Sequence, residues 1–145
     1  MHSQVEILLI EDNAQDAELT IRAIRKYNST IKVLHLKDGV EAIDFLLKES
    51  ELSNPKILEY PKAILLDLKM PKLDGIEVLK IIKSAARLKH LPVIMFTSSK
   101  ENPDVEKCFR AGANSYIVKP VEIENLVDVV KNLVHYWVIL NHQPI

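Results

Sequence analysis

The chain has 145 residues, 48% of them hydrophobic and 27% charged, with 19 Lys and Arg against 20 Asp and Glu, which suits one globular domain over residues 1–145 and leaves no length for a second. No apolar run approaches the roughly 18 residues of a membrane span, and Glu6, Glu11 and Asp12 occupy the stretch where a secretory signal needs a basic region and a long apolar one. A net charge of -1 with interspersed signs offers no basic face to nucleic acid, so a cytoplasmic protein that contacts neither membrane nor nucleic acid directly is expected.

Along the chain, short runs of Ile, Leu and Val alternate with amphipathic stretches, the pattern of repeated βαβ units around a parallel sheet. Residues 5–10, 31–36, 63–66, 92–96 and 115–118 read as strands. The first, third and fourth are nearly continuous in apolar residues, as befits strands covered on both faces, whereas the second is broken by Lys32 and His35 and reads as an edge. Between them Ala17, Ile21 and Ile24 share a helical face, as do Val40, Ile43, Leu46 and Leu47, and then Ile76, Leu79 and Ile82. Asn102 before Pro103 reads as a helix cap, and Gly112 suits a left-handed stop. The last helix places Ile123, Leu126, Val127, Val130, Leu133, Val134 and Trp137 three and four residues apart. An apolar continuation follows it, and no output domain is expected. The only long connection, residues 49–61, is read either as a functional loop or as a tolerated insertion.

A single cysteine, Cys108, excludes a disulfide framework or a multi-cysteine zinc site, and three glycines exclude the glycine-rich nucleotide loops. In an open parallel sheet, ligands bind beyond the carboxyl ends of the strands. There the chain places Glu11 and Asp12 after ILLI, Asp67 after AILL, Thr97 after VIMF, and Lys119 after SYIV. Taken singly, each is an ordinary turn or capping residue. Jointly they bring three carboxylates, a hydroxyl and an ammonium to one edge, and clustered carboxylates without Cys or His call for a hard divalent ion such as Mg²⁺.

ILLIEDN, AILLDLKMPKLDG, VIMFTSS and YIVKP, in that order and spacing, resemble the receiver domain of two-component response regulators from Glu6 to about Leu133. The resemblance implies a flavodoxin-like (βα)5 fold with strand order 2-1-3-4-5, in which Asp67 accepts a phosphoryl group from a sensor histidine kinase. Glu11, Asp12, Asp67 and the backbone carbonyl of Lys69 would hold Mg²⁺, and Thr97 and Lys119 would contact the phosphoryl oxygens. Tyr116 matches the aromatic that changes rotamer as the threonine moves; a half-buried aromatic with a hydrogen-bonded tip explains it equally well. The resemblance also implies a cis Lys119–Pro120 peptide. The 49–61 connection and the aromatic end are similar to those of regulators paired with cyanobacterial phytochromes, which implies a phytochrome-type kinase and an unknown downstream protein.

Other functions fit less well. A phosphatase of haloacid dehalogenase type would carry a second aspartate two residues after its nucleophile, where this chain has Lys69. In an FMN module, Glu11 and Asp12 would repel the phosphate. A receiver that only binds partners would lack the acceptor or the lysine, and both are present. Tyr136, Ile139 and Leu140 cannot share the inward stripe of the last helix, so a homodimer through that surface is expected.

Overall fold

Runs of Ile, Leu and Val without polar interruption have no face to offer water, and the computed structural model, which describes residues 5–52 and 61–143, buries them in the middle of one sheet. The strands are β1 (Ile7–Ile10), β2 (Val33–Leu36), β3 (Ala63–Leu66), β4 (Val93–Thr97) and β5 (Ser115–Val118), all parallel and ordered 2-1-3-4-5. Every residue of β1, β3 and β4 is buried; β2 and β5, at the edges, are mostly half-exposed. The edge position inferred for the second strand is therefore correct.

Helices α1 (Ala14–Tyr27), α2 (Gly39–Leu52), α3 (Gly75–Ser84), α4 (Asn102–Arg110) and α5 (Ile123–Val134) follow the strands in turn. Side chains alternate across each strand, which divides the core in two. Leu8, Ile10, Ile64, Leu66 and Met95 pack with Leu46 of α2, Leu79 and Ile82 of α3 and Cys108 of α4. Ile7, Leu9, Leu65, Ile94 and Phe96 pack with Ile24 of α1 and Leu126, Val130 and Val134 of α5. Burial pushes the Cys108 thiol up to about 11, with Asp104 and Asp74 adding to it, so this thiol stays protonated.

Several local expectations need correction. The sheet covers a narrower stripe of each helix than the apolar periodicity suggests: Val40 and Leu47 of α2 and Ile123 of α5 are exposed, and Ala42, Ile43 and Leu46 form the inner face of α2. Helix α4 begins one residue earlier than read, with Glu101 at the cap position and no side-chain cap bond, while Pro103 sits in the first turn. Gly112 takes the expected positive φ of 105°. Lys119–Pro120 is trans, as is every peptide among the described residues, which is the isomer X–Pro bonds favour by roughly 0.5–1 kcal/mol. Helix α2 runs to Leu52, shortening the long connection, and residues 53–60 lie outside the described residues.

Two features tie the far end of the sheet together. After α5 the chain continues as a π-helical segment, His135–Leu140, and Gln143 then donates to the carbonyls of Pro61 and Lys62 just before β3. The Lys83 ammonium donates to the carbonyls of Lys89 (3.1 Å) and Leu91 (2.8 Å) and to Asn114 Oδ1 (2.8 Å), which also accepts the Val93 N–H. Burial lowers the pKa of that ammonium.

At the site end, Gly75 brings α3 against the loop after β3. Its N–H donates to the Leu68 carbonyl at 2.7 Å, and a Cβ there would collide with the Asp67 carbonyl and lie 2.8 Å from Leu68 Cα. Backbone cannot yield as a side-chain tip can. Gly75→Ala is expected to destabilise the protein by about 1–3 kcal/mol, measured by urea unfolding; a midpoint and slope equal to wild type would contradict this close approach.

Candidate phosphoryl and metal site

β1 and β3 end level, since Ile10 pairs with Leu66; Leu66 pairs with Met95, and β4 runs two residues further to end level with β5, Thr97 pairing with Val118. The first polar residue after each run therefore emerges at the same edge. After β1 the chain turns into α1 through Asn13, whose Oδ1 accepts the Asp16 N–H at 3.0 Å and caps the helix. The Asn13 N–H in turn donates to Glu11 Oε2 at 3.1 Å. After β3, Asp67 Oδ1 accepts the Leu68 N–H at 2.8 Å, and Asp74 caps α3 by accepting from the Glu77 N–H. The intervening loop turns sharply at Lys72, which has a φ of 69°, so that the Leu73 N–H reaches the Pro71 carbonyl at 2.8 Å.

Carboxylate oxygens of Glu11, Asp12 and Asp67 come within 4.8 Å of one another, with Glu11 buried, Asp67 half-buried and Asp12 exposed. Three anionic oxygens graded from floor to mouth form a donor set for a hard divalent cation that keeps some of its water. Asp67, Lys69 and Thr97 line one open cleft together with Ser99 and Lys100. The sequence reading placed these groups together, and they are together.

Lys119 is at the site but turned to different partners. Its ammonium is nearly buried, forms an ion pair with Glu11 Oε1, lies 3.4 Å from Asp16 Oδ2 and sits 5.8 Å from the Phe96 ring centre. Burial alone would lower its pKa, but the Glu11 hydrogen bond and the fields of Asp67, Glu11 and Asp16 outweigh that and hold it above its usual range. Asp16, in the first turn of α1, is thus also a counter-ion for Lys119. No local signal marks this role, because the two are brought together only by the fold.

On the other side, Thr97 is buried and its Oγ1 accepts the Ser99 N–H at 3.3 Å. Ser99 Oγ donates to Asp104, and the Tyr116 hydroxyl donates to the Ser99 carbonyl at 2.7 Å. Of the two readings of Tyr116, this conformation displays the half-buried ring with a bonded tip. The Ser99 to Asp104 link and the contact of His35 Nε2 with the Glu11 carbonyl (2.7 Å) were not foreseen. A histidine inside a strand was the only visible trace of the second.

Burial pushes the Glu11 carboxyl up to about 7, reinforced by Asp67 and opposed by Lys119 and the Asn13 N–H. In the unfolded chain the same group ionises near 4.5. Between those values the folded state holds the extra proton, so this group makes metal-free protein less stable as pH rises through the window, with the loss complete above it. Thermal melting of wild type and Glu11→Gln in chelator should show the wild-type curve falling more steeply from pH 5 to pH 8; parallel curves would contradict the buried proton.

A family model described as the response regulator receiver domain matches residues 7–131. The chain is 37% identical over 138 residues to the probable methanogenesis regulatory protein FilR2 of Methanothrix harundinacea, spanning 95% of this chain and 86% of that one. It is 34% identical over 132 residues to the response regulator Rcp1 of a Synechocystis species, spanning 90% and 87%. The Mn²⁺-bound form of Rcp1 superposes with a TM-score of 0.84 over 99% of this chain and all of that one. The phosphorylated cyanobacterial phytochrome response regulator RcpA does so with a TM-score of 0.85 at 31% identity and the same coverage. These matches set the haloacid dehalogenase alternative aside and agree with the fold and the acidic pocket, so the chain belongs to the response regulator receiver domain family.

Proposed function

We propose that the protein is a phosphoacceptor switch in which Asp67 is the residue phosphorylated. The observation that carries this reading is the meeting of the Glu11, Asp12 and Asp67 carboxylates beside a cleft that Thr97 also lines. An Asp67 oxygen attacks the phosphorus of a phosphohistidine on a sensor kinase, the P–N bond breaks towards the imidazole, and an acyl phosphate remains until water hydrolyses it. Glu11, Asp12, Asp67 and the Lys69 carbonyl are the residues that would hold Mg²⁺, which when bound would supply neutralising charge for the phosphoryl oxygens. The protein assists its own phosphorylation and dephosphorylation in this scheme and otherwise acts through binding.

Lys119 and Thr97 read the product. Phosphorylation adds negative charge at Asp67, and the Lys119 ammonium, held by Glu11 and Asp16 beforehand, shifts part of its interaction to the phosphoryl oxygens. Thr97 moves to donate to the same group, which disturbs its bond with the Ser99 N–H, and the Ser99 carbonyl is the acceptor of the Tyr116 hydroxyl. Tyr116 is therefore the proposed reporter on the α4 and β5 side.

The kinase is proposed to be of phytochrome type, on the likeness to Rcp1 and RcpA; output passes to a downstream protein in the cytoplasm. Exposed Tyr136, Ile139 and Leu140 beside buried Val138 support a homodimer through the end of the chain. Among the described residues no helix is long and apolar enough to cross a membrane.

Incubation with acetyl phosphate and Mg²⁺ should label wild type on Asp67 and leave folded Asp67→Asn unlabelled; undiminished labelling of that variant would sink the assignment. Asp12→Ala should weaken Mg²⁺ binding roughly tenfold or more through loss of a charged ligand, and equal affinities in a metal titration would give the acidic pocket another purpose. For assembly, sedimentation across a concentration series should show a dimer that Tyr136→Ser with Ile139→Ser dissociates. A wild type that stays monomeric at high concentration, with and without phosphodonor, refutes it.

A further inference from the structure

Strand β1 ends at Ile10, and the peptide groups just beyond it have fewer strand partners to meet. The Ile10 carbonyl accepts the Asp67 N–H at 3.0 Å on the β3 side, and the Glu11 N–H reaches the Leu36 carbonyl at 3.1 Å on the β2 side. The next acceptor, the Glu11 carbonyl, is met by a side chain instead: His35 Nε2 at 2.7 Å. A carbonyl can only accept, so Nε2 carries the hydrogen. Both peptide groups of Glu11 are thereby held by consecutive residues of the edge strand.

The position of His35 makes that contact informative. It pairs in register with Leu9, and on the same face of β2 Val33 packs into the cluster that contains Ile7 and Leu9. Alternation calls for an apolar residue there, and an imidazole half-buried in such surroundings is tolerated when it is hydrogen-bonded. The Glu11 carbonyl belongs to the same rigid peptide plane as the Asp12 N–H. Fixing it sets the direction in which Asp12 leaves the strand. Asp12 is exposed and has little packing to orient it, so the backbone must do so.

We propose that His35 is a positioning residue for the metal end of the site, holding the Glu11–Asp12 peptide so that both carboxylates face the same cation. The inference rests on the reading that Glu11, Asp12 and Asp67 bind a divalent ion. Loss of an outer partner of a metal ligand typically weakens binding by roughly 10–100-fold, and for a partner acting through one peptide the lower end is expected.

The test is titration of the full chain with Mn²⁺, the free ion being counted by electron paramagnetic resonance, alongside melting of the metal-free protein. His35→Leu should bind Mn²⁺ about tenfold more weakly with a melting temperature close to wild type. His35→Gln, whose amide nitrogen reaches as far as Nε2, should recover most of the affinity. Should His35→Leu not fold, His35→Asn, polar but too short to reach the carbonyl, takes its place in the comparison. Wild-type affinity in His35→Leu overturns the proposal, as does a His35→Gln no better than His35→Leu, or a loss that disappears once unfolded protein is subtracted. A wild type that binds no Mn²⁺ overturns the metal reading and this inference with it, whereas the other failures leave that reading standing.

Discussion

The parallel ladder between β1 and β3 pairs Ile7 with Ala63 and Ile10 with Leu66, and the chemistry of the site depends on that register. A slip of one residue would send Leu8 and Ile10 to the α5 side and Ile7 and Leu9 to the α2 side, against two different sets of core residues, so burial on both faces pins the alignment. Because the strands are parallel and end within two residues of one another, their first polar residues meet at one edge. Glu11 and Asp67 face each other as the next rung of a ladder whose other rungs are entirely apolar.

Stability alone does not require that placement. Glu11 is 2% exposed and its ion pair with Lys119 is nearly dry. Taking both charges out of water costs several kcal/mol each, and an apolar pair of similar volume is often as stable or more so. The excess of carboxylate over ammonium sharpens the point, since Asp67 raises the pKa of Glu11 while Lys119 and the Asn13 N–H lower it. The pocket is in electrostatic tension without a further cation. Such tension is useful to a switch, because a bound ion or an added phosphoryl group changes which charge pairs with which.

Much of this was legible in the sequence wherever a rule of period or adjacency applied. ILLI, AILL and VIMF marked central strands because no polar residue interrupts them, and the abrupt change to Glu11, Asp67 and Thr97 marked their ends. The alternation around His35 marked an edge. What escaped depends on contacts between distant parts of the chain. Asp16 and Lys119 are 103 residues apart and nothing local relates them. The exposure of Val40 and Ile123 depends on how wide a stripe the sheet covers, which periodicity cannot measure. Asn102 and Pro103 are both good starters, and the choice of Glu101 as cap is a matter of backbone geometry. The widening of the last helix into a π-turn, closed by the Asn141 N–H on the Tyr136 carbonyl, leaves no trace in HYWVIL.

At the opposite end of the sheet, the three oxygens around Lys83 have the shape of a receptor for an ammonium ion, built into the floor of the domain and occupied by the chain itself. They gather the turn after α3 and the residues just before β4 and β5 around one compact charge. A tetrahedral head with three hydrogens can serve three acceptors that converge; a planar guanidinium spreads its donors in a fork and is too large for the same point. Lys80, one turn away on the solvent side of α3, presents its charge to water and has no such geometry to satisfy. Lysine and arginine are thus interchangeable cations at one position of this helix and different molecules at the other.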